Sequence, residues 1–313
     1  MTLTELRYVV AVSRERHFGR AADACFVSQP TLSVGIKKLE EELGVAIFER
    51  GSNEISMTPV GEQIVAQASR ILEEAESLKF IAEQSGDPLA HPLRIGAIYT
   101  IGPYLLPQIL PLMREHAPDM QLIIHENYTS HLREQLKRGK LDVIIISLPF
   151  SEPGITTEAL YDEPFQLALP ADHAWAKKTS ISPKSLGNET VLLLGAGHCF
   201  RDQVLKICPQ LGTHETASGI QQTLEGSSLE TIRYMVTSGV GMTVLPATAC
   251  IPTREENRML CFRPFTEPAP TRRVALAWRS SFPRPEAIQI VKAAILNAKL
   301  SGVIPIAENT SQK

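Results

Sequence analysis

Helical spacing of apolar residues dominates the first ninety positions of this chain, and short apolar strands alternate with helices after that. Leu6, Val9 and Val10 follow helical spacing, which predicts a first helix over about 4–14. His17-Phe18-Gly19-Arg20 leads into Ala21-Ala22-Asp23-Ala24-Cys25, a short helix of small residues, and Phe26-Val27 makes a tight connection. Ser28 then serves as N-cap, and Pro30 fits a first turn. The helix that follows carries Leu32, Ile36, Leu39 and Leu43 at offsets 0, 4, 7 and 11, one narrow apolar stripe. Its outward side holds Pro30, Thr31, Ser33, Val34, Lys37 and Lys38. Residues 45–50 and 55–58 read as two short strands around Gly51-Ser52-Asn53. From 59 to 85 runs one long helix of roughly 40 Å, ended by Gly86-Asp87-Pro88. Along it Ile64, Ala68, Ile71, Ala75, Leu78 and Ala82 alternate steps of four and three, a heptad seam suited to a second copy of itself. The plainer alternative is packing on the chain's own body.

Beyond residue 93 the pattern is strand, helix, strand. Strands are predicted at 93–100, 121–126 and 141–147, with helices over about 103–116 and 130–138. That order favours parallel sheet with right-handed crossovers. It repeats with strands at 165–169, 190–194 and 242–245 and helices near 201–208 and 228–238. A strand at 273–278 and a helix at 285–299 return to the first lobe. Two lobes imply a cleft between them. Ligands in open α/β sheets sit at strand C-terminal ends, which here deliver Thr100, Asn127 to Ser130, Ser147 and Gly195 to Cys199. The polar tail after Ser301 is expected to be flexible.

At 313 residues the chain calls for two or three domains. Its 43% hydrophobic and 21% charged residues are ordinary for a soluble globular protein. The N-terminus lacks a basic-then-apolar leader, and no apolar run approaches the roughly 20 residues of a membrane span. A cytoplasmic location and no membrane partner are therefore expected. Net charge is −3, and residues 1–58 hold seven basic against eight acidic side chains, so a DNA partner has to be argued from arrangement.

The arrangement is a helix-turn-helix with a wing. Gln29, Thr31 and Ser33 lie at the N-terminal end of the second helix, the end that enters a major groove and reads base edges. Lys37, Lys38, Arg20 and Arg50 would meet phosphates. The run Phe18-Gly19-Arg20-Ala21-Ala22, Val27-Ser28-Gln29-Pro30-Thr31-Leu32-Ser33, Ile36-Lys37-Lys38-Leu39-Glu40, Leu43-Gly44-Val45, Phe48-Glu49-Arg50 and Thr58-Pro59-Val60-Gly61 resembles the LysR-type transcriptional regulators across the whole winged domain. The resemblance implies an N-terminal all-α winged helix-turn-helix (1–58), a linker and dimerisation helix (59–87) and a C-terminal α/β effector domain (88–301), two-lobed and periplasmic-binding-protein-like. Lobe I would take about 88–162 and 268–301, lobe II about 163–267, and 302–313 the tail. It also implies a dimer of dimers on double-stranded DNA.

Five cysteines without a secretory leader suggest redox, metal or buried thiols rather than a structural disulfide framework. Cys25, Cys250 and Cys261 read as small buried hydrophobes. Cys199 and Cys208 stand nine apart in Gly197-His198-Cys199-Phe200-Arg201-Asp202-Gln203 and Ile207-Cys208-Pro209. The segment between them reads as a short helix stopped by Pro209. Such a helix holds its end Cα atoms roughly 13 Å apart, whereas a disulfide needs about 4.4–6.8 Å. If the two thiols pair, the segment has to refold. Thiolates are favoured at helix N-termini and beside cations, and Cys199 has His198 and Arg201 as neighbours, with Asp202 one turn on as acceptor or proton relay. A metal site from His198, Cys199, Cys208 and His214 is the other contender, although no tight Cys-x-x-Cys pair anchors it.

This thiol segment, together with 99–107, 228–236 and 241–247, resembles the peroxide-sensing members of the same family. That resemblance implies that Cys199 is the peroxidatic thiol, that Cys208 resolves it by closing a disulfide, and that Thr100, Thr129, His198 and Asp202 hold hydrogen peroxide. It further implies RNA polymerase and a thiol reductant such as glutaredoxin as partners, and neither cofactor nor metal. Pro209 departs from that pattern and pushes Cys208 toward extended backbone. The competing reading is a LysR-type regulator binding a small organic anion in the inter-lobe cleft. A cytosolic thiol peroxidase would need no DNA-reading helix, so an enzyme is not expected.

Overall fold

The computed structural model describes residues 1–49, 55–83, 89–212, 225–226, 228–251 and 259–306. It divides into two compact units, Met1–Gly86 with Ser281–Pro283 and Asp87–Ser280 with Arg284–Lys313. No helix among the described residues is long and apolar enough to cross a membrane.

The first unit runs α1 (Leu3–Glu15), α2 (Phe18–Ala24), α3 (Gln29–Leu43), a hairpin of β1 (Phe48–Glu49) and β2 (Ser56–Met57), then α4 (Pro59–Glu83). Local chemistry sets the helix starts. Thr2 and Glu5 form a reciprocal capping box on α1. Ser28 Oγ accepts the Thr31 N–H at 3.3 Å on α3, with Pro30 in the first turn. The core gathers Leu6, Val9 and Val12 of α1, Ala21 and Ala22 of α2, Leu32, Ile36 and Leu39 of α3, and Phe48 of β1. Leu43, the fourth member of the expected stripe, is 40% exposed, because the last turn of α3 runs past this core. The heptad seam of α4 splits in two. Ala68 is buried, and Ile64 and Ile71 pack against the same core, but Leu78 is 68% exposed. Arg50, the 51–53 turn and residues 84–88 lie outside the described residues.

The second unit contains β3 (Leu93–Ile98), α5 (Gly102–His116), β4 (Leu122–Asn127), α6 (Thr129–Lys137), β5 (Val143–Ser147) and β6 (Ile155–Pro170). After these come β7 (Val191–Leu194), α7 (Cys199–Ile207), β8 (Glu225–Gly226), α8 (Leu229–Thr237), β9 (Met242–Pro246), β10 (Leu260–Pro264), β11 (Thr271–Arg279), α9 (Pro285–Asn297) and β12 (Ile304–Pro305). Strand order is β4-β3-β5-β11-β6-β9-β7-β8. The parallel pairs are β3 with β4 and β5 in one lobe, and β7 with β8 and β9 in the other. The rest of the sheet is antiparallel, which the strand-helix alternation did not foretell. Most of it comes from β6, sixteen residues long where only 165–169 was expected, and the rest from β11 beside β5. Strand β6 pairs with β11 over its first part and with β9 and β10 over its last, so it belongs to both lobes.

Candidate functional site

Three strand ends meet around His198. Strands β3 and β4 are parallel neighbours, with Ile98 opposite Asn127. The chain therefore leaves them at the same level, as Tyr99-Thr100 and Tyr128-Thr129. From the other lobe β7 ends at Leu194, and Gly195 to His198 lead into α7. The rings converge. His198 lies 4.7 Å from Tyr128 at 64° and 5.9 Å from Tyr99, and the two tyrosines meet edge to face at 5.3 Å. Gly197, at φ +94°, supplies the left-handed backbone that turns this loop into the helix. Arg201 Nη1 donates to Leu194 O at 2.7 Å, closing the first turn of α7 onto β7.

Cys199 is the first residue of α7, half-buried and a free thiol. It stands at the N-terminal end of the helix, directly after His198. The helix starts at the cysteine itself, as the sequence reading of a short helix between the two cysteines expected.

Two hydroxyls flank the cluster through their sequence neighbours. Thr100 is buried, and its Oγ1 accepts from Arg272 Nη1 at 2.8 Å, which leaves the hydroxyl proton to be donated. Arg272 Nη2 donates to Thr100 O, also at 2.8 Å. Arg272 Nε donates to Glu163 Oε2 at 2.7 Å in an ion pair with no exposure on either side, and Glu163 Oε1 accepts from the backbone and hydroxyl of Thr248. The same guanidinium lies 5.3 Å from the ring of Phe200, next to Cys199. Thr129 Oγ1 is buried and has no hydrogen-bond partner among the described residues. Asp202 sits on the outer side of the first turn, exposed.

Sequence reasoning missed two side chains that the structure brings into this neighbourhood. Gln203 Nε2 donates to Ser147 Oγ at 2.8 Å, tying α7 to the end of β5 across the lobes, while its Oε1 is buried and unpartnered among the described residues. Gln203 stood inside the thiol motif but carried no signal beyond being polar. Arg272 is the other. Strand alternation distinguishes it from Arg273 only once the inward face is known.

Cys208 ends α7. Its N–H still bonds to Val204 O at 3.0 Å, but its backbone has turned to φ −127°, ψ 73° ahead of Pro209. The thiol is fully buried and donates to Pro183 O at 3.3 Å. Burial pushes it up to about 11. Burial also pushes up Cys25 and Cys250, and Cys250 donates to Pro246 O. His214 lies outside the described residues.

On the first unit, Gln29, Pro30 and Thr31 are exposed at the start of α3, and Ser33 is half-buried. The hydroxyls of Ser28 and Thr31 engage each other at 2.8 Å, so both serve the cap. Lys37 pairs with Glu41 at 3.5 Å on the surface. Arg20 donates to Glu15 O. Lys38 leans back to the buried Glu5 at 3.3 Å. Val34 is 67% exposed on the same outer face.

Residues 3–62 match the bacterial regulatory helix-turn-helix protein model of the lysR family, and residues 86–299 match the LysR substrate binding domain. The chain belongs to the LysR family of DNA-binding transcriptional regulators. Among its relatives, a hydrogen peroxide-inducible genes activator of Pectobacterium carotovorum is 42% identical, over 90% of this chain and 92% of that protein. The DNA-binding transcriptional dual regulator OxyR of Escherichia coli K12 is 41% identical, over 90% and 91%. Full-length OxyR from Pseudomonas aeruginosa, solved as a cysteine-to-aspartate variant, is 50% identical with a TM-score of 0.72, covering 100% of this chain and 99% of that one. An H2O2-bound cysteine-to-serine variant of Corynebacterium glutamicum OxyR is 33% identical with a TM-score of 0.61, covering 94% and 91%.

Proposed function

We propose that this regulator senses hydrogen peroxide at Cys199 and signals through a reversible Cys199–Cys208 disulfide, controlling oxidative-stress genes. The observation that carries this reading is the convergence on His198-Cys199 of the two strand ends bearing Thr100 and Thr129, with a buried hydroxyl on Thr129 that lacks a partner among the described residues. A small ligand with two adjacent oxygens satisfies such groups. Relatives named for peroxide induction support the same reading.

The chemistry balances. Cys199 thiolate attacks one peroxide oxygen, the S–O bond forms, the O–O bond breaks, and the departing hydroxide takes a proton. Thr100, with its oxygen held by Arg272, donates toward the oxygen that gains charge. His198 and Thr129 orient the pair, and Asp202, exposed at the helix start, relays protons with solvent. Cys208 then attacks the sulfenic acid, the S–S bond forms and water leaves.

The nine-residue α7 separates the cysteines by roughly 13 Å of helix rise, far outside disulfide geometry, so closing the bond unwinds α7. Unwinding pulls Cys208 from its core and Gln203 from Ser147. The lobes repack, and the regulator sits differently on DNA. It acts in the cytoplasm as a dimer of dimers on promoter DNA through Gln29, Pro30, Thr31 and Ser33, with Ser28 as cap and Arg20, Lys37, Lys38 and Arg50 on phosphates. RNA polymerase and a glutaredoxin-type reductant complete the cycle. The chain is not an enzyme and uses no cofactor or metal.

The competing organic-anion reading finds only an open surface depression bordered by Leu148, Pro149, Phe150, Asp162 and Arg273 among the described residues. Its guanidinium is already held by Asp162 through two bonds of 2.7 and 2.8 Å, which disfavours anion capture there.

Intact mass and thiol mapping before and after one equivalent of peroxide test the reading. Loss of two hydrogens, mapped to peptides bearing Cys199 and Cys208 and absent in Cys199→Ser, is expected. Unchanged mass with both thiols free would refute it.

A further inference from the structure

We infer that the rings of Tyr99 and Tyr128 form a size filter at the thiol, admitting hydrogen peroxide and rejecting organic hydroperoxides. The inference rests on the proposed reaction at Cys199 and adds what selects the oxidant.

Each ring immediately precedes one of the two threonines, and both are half-buried, one side on the His198 cluster and the other toward solvent. Neither phenol hydroxyl makes a hydrogen bond among the described residues. The rings therefore serve by their bulk. Tyr128 is also an unusual helix start. It occupies the N-cap of α6 with no side-chain cap bond, at a position where Ser, Thr, Asp and Asn are favoured. Capping does not explain a tyrosine there, but contact with His198 does. The glycine loop faces it across about one methyl's width: a Cβ built on Gly197 would stand 3.5 Å from the Tyr128 ring, in ordinary contact.

The reaction makes bulk matter. Attack on H–O–O–H expels hydroxide, whereas attack on R–O–O–H expels an alkoxide whose carbon group must fit beyond the leaving oxygen. Two rings meeting edge to face at 5.3 Å, with His198 packed against both, form a close-packed wall. A tertiary alkyl or cumyl group placed against it has to displace a ring. A pocket difference of one to a few carbons is worth about tenfold to a few hundredfold in rate.

The test uses the full-length reduced protein and follows Cys199 oxidation with hydrogen peroxide, tert-butyl hydroperoxide and cumene hydroperoxide. The unaltered chain is expected to favour hydrogen peroxide strongly over both. Tyr128→Ala should lower that preference by about tenfold or more, through faster reaction with the organic oxidants. Tyr128→Phe should keep the ratio, since the ring and not the hydroxyl does the filtering. Tyr99→Ala gives an independent second opening should Tyr128→Ala misfold. An unaltered chain that reacts equally with all three overturns the filter and leaves the peroxide reading standing. A ratio unmoved or raised by the alanine variants overturns it as well. A chain whose Cys199 does not react with hydrogen peroxide sinks both readings.

Discussion

Arg272 has the most constrained side chain near the thiol: its guanidinium holds Thr100 twice, pairs with Glu163 and packs beside Phe200, all without exposure. Removing one member of such a pair strands a buried charge. Arg272→Met should cost about 3–5 kcal/mol in urea unfolding of the reduced protein, and adding Glu163→Gln should restore much of it. Cys208 gives a prediction of opposite character. Its folded thiol is raised to about 11, above the ordinary value near 8.5. The unfolded chain therefore loses that proton first. The contribution is fully present below the ordinary value and is lost as pH rises through about 11. At pH 8 native Cys208 should alkylate about 10²-fold more slowly than a free thiol, and the gap should close toward pH 11 or in denaturant. Mass-resolved iodoacetamide labelling measures both. At this scale the positions of Cys199 and His198 at the head of a helix and of Thr100 and Thr129 just past strand ends were legible, while a site role for the threonines came only from the family resemblance. Arg272 and Gln203 were not, because their importance lies in partners more than fifty residues away in sequence.

Helices proved more legible than strands, and the reason is local. Each helix that starts on a serine cap announces itself within four residues, as Ser28 does for α3 and Ser228 for α8. Ser28→Ala should lower the stability of the first unit by about 1 kcal/mol, read by thermal unfolding of the full-length protein, with a matching loss of DNA affinity because Thr31 loses its partner. Ser228→Ala should cost the second unit about as much without touching DNA affinity in the reduced state. By contrast, the part of β6 that pairs with β11, residues 155–164, mixes polar and apolar residues and ends on Pro164, and nothing nearby says that β11 will pair with it. Two-residue strands such as β8 and β12 exist only through the strands they join. The unexpected antiparallel share of the sheet follows from the same cause. Pairing partners 100 residues apart leave no periodic trace. Pro209 sits between these cases. Its effect on Cys208, a residue that keeps its helical N–H bond while its backbone departs, follows from the steric rule for residues preceding proline.

For the whole molecule, the proposed thiol event has to reach a DNA-reading helix, and the proposed dimer makes α4 the structural link in that chain of effects. The apolar seam along α4 looked uniform in the sequence, but its two halves have different tasks. Ala68 is buried against α1, with Ile64 and Ile71 beside it, so that half holds the winged unit together. Leu78 has 68% of its surface in solvent. Burying a leucine from such exposure is worth about 1.5–3 kcal/mol, a gain that the proposed pairing with a second chain supplies. Charging it should separate the two roles. Leu78→Glu is expected to leave the unfolding free energy of the first unit within about 0.5 kcal/mol, as for a surface substitution. It should also dissociate the assembly in sedimentation velocity and cut operator affinity by at least about tenfold, since each half-site then binds alone. Ala68→Glu, placed in the packed half, should instead unfold the winged unit and abolish binding at any protein concentration. If Leu78→Glu sediments like the unaltered chain, α4 does not mediate the pairing. Peroxide would then have to reach DNA through contacts between effector domains alone.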